Sequence, residues 1–312
     1  MKTIIIVATK NKYFWPWVID TPEIQVEEAY KKQFKLPLIS KLKKRNGAYQ
    51  YIKLGIVGKW KKTIKDADQV IFLDSSYSKQ FEHIIRKMVQ KEGKKVIFFY
   101  WNKMHLNDTI AIQQLNSISS DIEFWSYNMR DSIKFGLKYN TTMYYFPAII
   151  RQKQATLLQD VFFGGWFTND RISLFDEVLD QFKKYGITYY IDAAGSGAIE
   201  KQPRNFKLKK SCFSYAQYLQ AVQASKAILN LDKYPDMGCS LRALEALWCE
   251  KKYITNNQDI VNEKFYTCEN IFILGKDDIG NLRYFLQTPY KKIDKEVINY
   301  YSLEEWAKRF AI

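Results

Sequence analysis

The segment from Ser225 to Asn257 changes its hydrophobic period twice, and this restricts the chain to few folds. The apolar run Ala227–Leu231 is too short for a typical helix and is followed by turn residues, so it predicts a buried strand. From Ser240, a suitable N-cap, apolar residues recur at helical spacing, and the short strand Tyr253–Thr255 follows. Strand, glycine turn, helix and strand in this order predict a parallel βαβ unit with its first loop at the carboxyl edge of a sheet.

The same alternation of short apolar runs and helical patterns continues through most of the chain and predicts an α/β protein with parallel sheets. The predicted strands are residues 2–8, Gln69–Leu73, Lys95–Trp101, Ile122–Trp125, Met143–Phe146, Asp160–Phe163, Ile187–Ile191 and Ile271–Leu274. Residues 24–65 have a helical tendency that is broken at Pro37 and Gly47. The polar stretch 150–159 predicts a linker between two domains, residues 1–150 and 151–312.

Positive charge is concentrated in the amino half. The chain has 48 Lys and Arg against 33 Asp and Glu, a net charge of +15, and residues 1–150 carry 25 against 13, or +12. The basic clusters and the aromatic residues among them are Lys41, Lys43, Lys44, Arg45, Lys59, Lys61, Lys62, Lys65, Tyr49, Tyr51 and Trp60. Such a surface suits an anionic membrane, a polyphosphate substrate or nucleic acid. No nucleic-acid-binding motif accompanies the basic clusters. We therefore expect them to bind an anionic membrane surface or a lipid diphosphate, and we do not expect nucleic acid as a partner.

The sequence also argues against a transmembrane helix and against a zinc site. No apolar run reaches the about 18 residues that a transmembrane helix needs. The cysteines Cys212, Cys239, Cys249 and Cys268 have no C-x-x-C spacing, which argues against a zinc site and suits a reducing cytoplasm.

The predicted helix after Ser240 carries groups that suit a nucleotide. Its N-terminal N–H groups suit a phosphate. Arg242 can form two bonds to a diphosphate, and Glu245, three residues later, can accept bonds from vicinal sugar hydroxyls. The alternative is that Arg242 and Glu245 form a solvated ion pair on an amphipathic helix.

The segment G-x-S-L-R-A-L-E-A-L, followed after a short gap by Y-I-T-N-N, resembles the donor-binding segment of GT-B glycosyltransferases. The likeness is strongest to bacterial enzymes of surface polysaccharide or lipopolysaccharide biosynthesis. It implies two Rossmann-like doubly wound domains facing a cleft, an acceptor-side amino domain and a carboxyl domain that binds the nucleotide-sugar, with UDP as the expected nucleotide. It also implies that the last helix packs back on the amino domain.

The resemblance assigns roles to single residues. Glu245 matches the glutamate that holds the ribose, and Gly238, Cys239 and Ser240 match residues that approach the phosphates. Met237 stands where many retaining enzymes carry a second glutamate, so a retaining mechanism does not carry over.

Two further segments resemble the same family. F-F-G-G-W-x-x-x-D-R matches the opening of the donor domain, where Gly165 approaches the donor and Arg171 faces its phosphates. Phe213 matches a position beside the nucleotide base, with core packing as the alternative. Phe124–Asn140 resembles the end of the amino domain.

Glycosyl transfer requires groups that bind the diphosphate and groups that stabilise its negative charge as it leaves. An inverting reaction also requires a base that takes the acceptor's proton. Arg171, Arg242 and the helix N-terminus can supply the first two, and no D-x-D motif stands where a metal-dependent enzyme would carry it, so we expect neither metal nor cofactor. Asp74 is the candidate base because it ends the apolar run V-I-F-L-D; Asp20 and His105 are rivals, and a helix-capping role is the alternative.

The sequence therefore predicts a metal-independent glycosyltransferase of bacterial surface polysaccharide assembly, cytoplasmic and peripheral at the inner membrane face. Its predicted acceptor is a saccharide, lipid-linked. The alternatives are a non-catalytic nucleotide-binding or scaffold protein of the same fold and a basic nucleic-acid-binding protein. Donor sugar, linkage and anomeric outcome stay open.

Overall fold

The computed structural model describes residues 1–8, 14–15, 18–34, 55–104, 108–146, 156–195, 202–233 and 238–311. The chain divides into two compact units. The first comprises Met1–Thr141 together with Glu304–Ile312, and the second comprises Thr142–Leu303.

The first unit is built on a six-stranded parallel sheet with the order β2-β1-β5-β6-β7-β8. Its strands are β1 (Thr3–Val7), β2 (Ile24–Glu28), β5 (Gln69–Leu73), β6 (Lys95–Tyr100), β7 (Glu123–Ser126) and β8 (Lys138–Tyr139), and an antiparallel pair is formed by β3 (Tyr30–Gln33) and β4 (Gly55–Val57). Every residue of β1 and β5 is buried, as expected of parallel strands that are covered on both faces.

The described helices of this part of the chain are α1 (Trp60–Thr63), α2 (Glu82–Gln90), α3 (Asp108–Asn116) and α4 (Met129–Phe135), and α10 (Leu303–Lys308) comes near the end of the chain. Asn128 caps α4 by accepting from the backbone N–H groups of Arg130 and Asp131, and Gly136, with a φ of 66°, ends it.

The predicted helical tendency of residues 24–65 is wrong over most of its described part. Ile24 and Val26 alternate with more exposed residues, and the segment pairs with β1 as a strand. Pairing with an existing sheet outweighs weak local helix propensity.

The predicted surface role of Trp60 is also wrong. Trp60 is 0% exposed, and its indole Nε1 donates to the Ala29 carbonyl oxygen at 2.9 Å. The lysines beside it are exposed, whereas the predicted cluster Lys41–Arg45, with Tyr49 and Tyr51, lies outside the described residues.

The second unit is built on a five-stranded parallel sheet with the order β10-β9-β11-β12-β13. Its strands are β9 (Gln159–Phe167), β10 (Tyr189–Gly195), β11 (Ser225–Asn230), β12 (Lys252–Thr255) and β13 (Ile271–Ile273), and its helices are α5 (Asn169–Lys184), α6 (Tyr215–Gln223), α7 (Leu241–Trp248), α8 (Leu282–Gln287) and α9 (Lys295–Tyr300). The strand predicted at Met143–Phe146 is wrong, since only an isolated bridge between Tyr144 and Ser302 forms there.

Both sheets begin with an inner strand and then grow to either side. The strand order therefore reverses between β1 and β5 in the first unit and between β9 and β11 in the second. In open parallel sheets, ligands bind at the carboxyl ends of the strands beside such a switch point. Within the described residues, no helix is long and apolar enough to cross a bilayer.

Candidate functional site

Two arginines meet at the switch point of the second sheet. Arg171 lies in the first turn of α5, after β9, and its Nη2 donates to the Leu231 carbonyl oxygen at 2.7 Å, just beyond β11. Arg242 lies in the first turn of α7, after β11, and its Nη2 donates to the Gly164 carbonyl oxygen of β9 at 2.6 Å. Each arginine thus reaches from the end of the strand before it to the neighbouring strand or just beyond it, and we call Arg171 and Arg242 the arginine pair.

The close approach of Arg242 to β9 depends on Gly165. A Cβ at this position would lie 2.4 Å from Arg242 Nη2, and Gly165 has a φ of 157°. The Arg242 guanidinium also donates to Asn230 Oδ1 at 3.1 Å. The glycine that the sequence predicts to approach a donor is thus the residue that admits Arg242.

The arginine pair has an unusual electrostatic environment. Both guanidinium groups lie within 6 Å of the Phe163 ring centroid, at 5.6 Å for Arg171 and 4.8 Å for Arg242. Burial and the neighbouring Arg242 lower the pKa of Arg171 to about 10. Among the described residues, the buried Nε atoms of both arginines lack a hydrogen-bond partner. Two adjacent cations favour the binding of an anion.

Asp232, Asp170 and Glu245 are acidic groups near the arginine pair, and Asp232 lies near both arginines. Burial raises the pKa of its carboxyl group, and the two arginines act in the opposite direction. Asn230 Nδ2 donates to Asp232 Oδ2 at 2.9 Å. Asp170 is also paired with Lys233, and burial raises the pKa values of Asp232 and Glu245, so these carboxyl groups balance only part of the charge of the two guanidinium groups.

The N-terminus of α7 lies directly after this strand end. Ser240 caps the helix by accepting from the Ala243 N–H at 3.3 Å, and its Oγ is 2.9 Å from the Tyr253 hydroxyl. Cys239 is buried, and its carbonyl oxygen accepts from Thr142 Oγ1 at 2.6 Å. The Gly238 carbonyl oxygen accepts from Asn257 Nδ2 at 3.4 Å. The contacts of Gly238, Cys239 and Ser240 fix the backbone just before α7. The first N–H groups of α7 have no acceptor within the helix.

Glu245 is buried rather than solvated. It is 3% exposed, and its two carboxylate oxygens accept from the hydroxyls of Tyr215 at 3.0 Å and Tyr218 at 2.5 Å. The Tyr144 hydroxyl lies 2.8 Å from that of Tyr215 and extends the network. The alternative of a solvated Arg242–Glu245 ion pair is therefore wrong.

The buried carboxyl group of Glu245 is unusually easy to protonate. Loss of solvent raises its pKa from 4.5 to about 7, against the lowering effects of the Tyr218 hydrogen bond and the Arg242 charge. The sequence carries half of this signal: Tyr215 and Tyr218 are three apart in α6 and therefore lie on one face of it, but the spacing does not show that this face meets Glu245.

The hydrogen bond and ring contacts of Phe213 do not involve the arginine pair. Its backbone N–H donates to Asp192 Oδ2 at 2.6 Å, and Lys209 Nζ lies 4.8 Å from its ring centroid. The helix α6 begins two residues after Phe213, at Tyr215. The half-buried Cys212, just before Phe213, contacts the Gly165 carbonyl oxygen at 3.1 Å. The predicted contact of Phe213 with a base stays a prediction.

In the first unit, Asp74 lies at the carboxyl end of β5, beside that sheet's switch point. Asn102, which follows β6, donates from Nδ2 to Asp74 Oδ2 at 2.6 Å. Asp20 accepts from the Val26 N–H at 3.0 Å and thereby holds β2, and His105 lies outside the described residues. Within the described ranges, no cluster of three or more His, Cys, Asp or Glu side chains could hold a metal ion.

No protein-family model and no curated protein matches this chain. Its structure is similar to that of a sucrose-phosphate synthase from Thermosynechococcus elongatus, with 9% identity, a TM-score of 0.52 and coverage of 100% of this chain and 98% of that one. It is also similar to a mutant of S. aureus TarM in complex with fondaparinux, α-GlcNAc-glycerol and UDP (12% identity, TM-score 0.47) and to S. aureus MnaA with UDP (10%, TM-score 0.45).

The coverage differs among these structures. The TarM match covers 78% of this chain and 54% of TarM, so this chain spans about half the length of TarM, and the MnaA match covers 100% and 95%. The full-length likeness to sucrose-phosphate synthase, together with the two parallel sheets, confirms the predicted GT-B class of fold.

Proposed function

We propose that this protein is a glycosyltransferase that moves a sugar from a nucleotide-sugar donor to a saccharide acceptor. The observation that carries the proposal is the arginine pair at the switch point of the second sheet, where Arg171 and Arg242 lie beside the N-terminus of α7. This arrangement suits the diphosphate of a nucleotide-sugar, with UDP as the expected nucleotide.

In this proposal the protein stabilises the departing diphosphate without a metal ion. Two guanidinium groups held at the ends of neighbouring strands can neutralise the charge that develops on the leaving phosphate. The same groups bind the ground state, so the part of their interaction that strengthens in the transition state is what accelerates transfer.

Asp74 is the proposed base. Its position at the carboxyl end of β5 supports this role, and the Asn102 contact orients its carboxylate. We propose separately that Glu245 contacts the ribose. Each of its oxygens already accepts a bond from a tyrosine, so a ribose hydroxyl would have to add to these bonds or replace one.

The acceptor is proposed to be lipid-linked, in bacterial surface polysaccharide assembly, with the protein peripheral at an anionic membrane. The excess of basic residues in residues 1–150 supports this part of the proposal.

A panel of UDP-, GDP- and CMP-sugars, assayed for release of free nucleotide in the presence of EDTA, tests the proposal. A transferase releases nucleotide slowly with water and faster with its acceptor. Binding of a nucleotide without turnover of any donor would instead favour a nucleotide-binding scaffold. A labelled oligonucleotide retained at physiological salt, with strong salt dependence, would favour nucleic-acid binding.

A further inference from the structure

The solvent side of α4, in the first unit, carries two large apolar side chains. Ile133 is 78% exposed and Met129 is 50% exposed. They are four residues apart and therefore share one face of the helix. Single exposed apolar side chains are ordinary in proteins, but a neighbouring pair on one helix face is a candidate contact surface.

The exposed ionic side chains of α4 are all basic. Arg130 and Lys134 are exposed and flank the apolar pair in sequence. The acidic residue of the helix, Asp131, is buried and accepts from the Met104 N–H at 2.9 Å. We call Met129, Arg130, Ile133 and Lys134 the α4 face.

The α4 face is not what holds the helix in place. Asn128 and Gly136 cap its two ends, and the Ser132 hydroxyl donates to the Asn128 carbonyl oxygen at 3.1 Å. Phe135 packs inward against the hydrophobic core. Neither Met129 nor Ile133 caps the helix, and each is at least half exposed, so their apolar character points to a contact outside the described fold.

We propose that the α4 face docks this protein on an anionic lipid bilayer. The inference deepens the membrane part of the proposed function and depends on it. Apolar side chains beside basic ones on an exposed helix face are the pattern of a helix that lies at a membrane surface. The +12 charge of residues 1–150 attracts the same surface.

A bilayer fits this face better than a protein does. A stable protein interface buries about 800 Å² on each side, which two exposed side chains cannot supply. Shallow insertion of two apolar side chains adds to the attraction of basic groups in reversible binding to anionic lipid, and requires no large complementary surface.

Site-specific fluorescence can locate the contact. Cys268 is the exposed one of the four free cysteines, so Cys268→Ser provides a background for labelling. An environment-sensitive dye is attached at Ile133→Cys and, as a control, at Tyr284→Cys, which replaces a 72% exposed side chain of the second unit. With phosphatidylcholine vesicles that contain phosphatidylglycerol, emission from position 133 should shift to the blue, and emission from position 284 should not. An equal shift at both positions, or none at 133, would overturn the proposal.

Co-sedimentation with the same vesicles measures the contribution of each group. Arg130→Gln and Lys134→Gln should each weaken association about fivefold, and the loss should shrink as salt rises. Met129→Ser with Ile133→Ser should weaken it further, whereas Tyr284→Ser should not. Thermal unfolding checks that each variant is folded.

The result separates this inference from the proposed function. UDP binding, measured without vesicles, should be the same in the α4-face variants as in the original protein. Vesicle association that these variants leave intact would refute the α4 face even if transfer is confirmed. Concentration-dependent dimerisation that the same variants abolish would assign the face to a second copy of the chain instead.

Discussion

Replacing Glu245 by glutamine should make the protein more stable at pH 8 and leave it little changed at pH 4.5. Glutamine has the shape of glutamate and no charge, and a tyrosine hydroxyl can both donate and accept. The variant therefore keeps a hydrogen bond with each of Tyr215 and Tyr218 and removes only the buried charge.

The magnitude follows from the pKa. In the folded protein the Glu245 pKa is about 7, raised by burial from 4.5. Below pH 4.5 both states hold the proton, and between pH 4.5 and 7 only the folded state does. Folding stability therefore falls as pH rises through this window and is level above pH 7. A difference of about 2.5 units corresponds to roughly 3 kcal/mol, which Glu245→Gln should recover at high pH.

Urea unfolding between pH 4.5 and 8, followed by circular dichroism, measures the effect. Other buried acids, among them Glu263 and Asp232, have raised pKa values too, so the difference between variant and original protein is the informative quantity. The exposed Glu177→Gln in α5 is the matched control. Parallel stability curves for Glu245→Gln and the original protein would show that the carboxylate is hydrated and refute the buried network.

Three further substitutions test other parts of the structure. Gly165→Ala should displace Arg242 and weaken UDP binding about tenfold or more in calorimetry, because the new Cβ would lie 2.4 Å from Nη2; Gly93→Ala, with nothing within 4 Å, should leave binding intact. Asp74→Asn should lower the rate of transfer by about 10²-fold or more with unchanged UDP affinity; an unchanged rate would remove Asp74 from the chemistry. Trp60→Phe should destabilise the protein by about 1–3 kcal/mol in chemical unfolding, since it removes one of the two donors to the Ala29 carbonyl oxygen, leaving the Gly58 N–H, and deletes part of a fully buried ring; a wild-type unfolding midpoint would contradict this.

Elements with strong local signals could be predicted from the sequence. The start predicted for α7 matches the structure, because Ser240 caps the helix and apolar residues follow at helical spacing. The strands β1, β5, β6 and β7 of the first sheet and all five strands of the second sheet were also predicted, although β9 and β10 reach beyond their predicted ends.

Features that depend on distant partners could not be predicted. The strand β2 forms because it pairs with β1, and nothing within its five residues excludes a helix strongly. The contact of Arg242 with Gly164 joins residues 78 apart, and Tyr218 and Tyr215 are 27 and 30 residues from Glu245. The sequence placed these residues near one site, but it could not show that Glu245 turns inward to tyrosines while Arg242 turns to β9.

Calorimetric titration with UDP of the original protein, Arg242→Gln and Arg283→Gln tests the central claim most directly. Arg283 is an exposed arginine of the same unit and serves as the control. If the arginine pair binds the diphosphate, the original protein and Arg283→Gln should bind UDP alike, and Arg242→Gln should bind it about tenfold to a hundredfold more weakly. Equal affinity in all three proteins, or no binding of UDP, GDP or CDP by the original protein, would contradict the account.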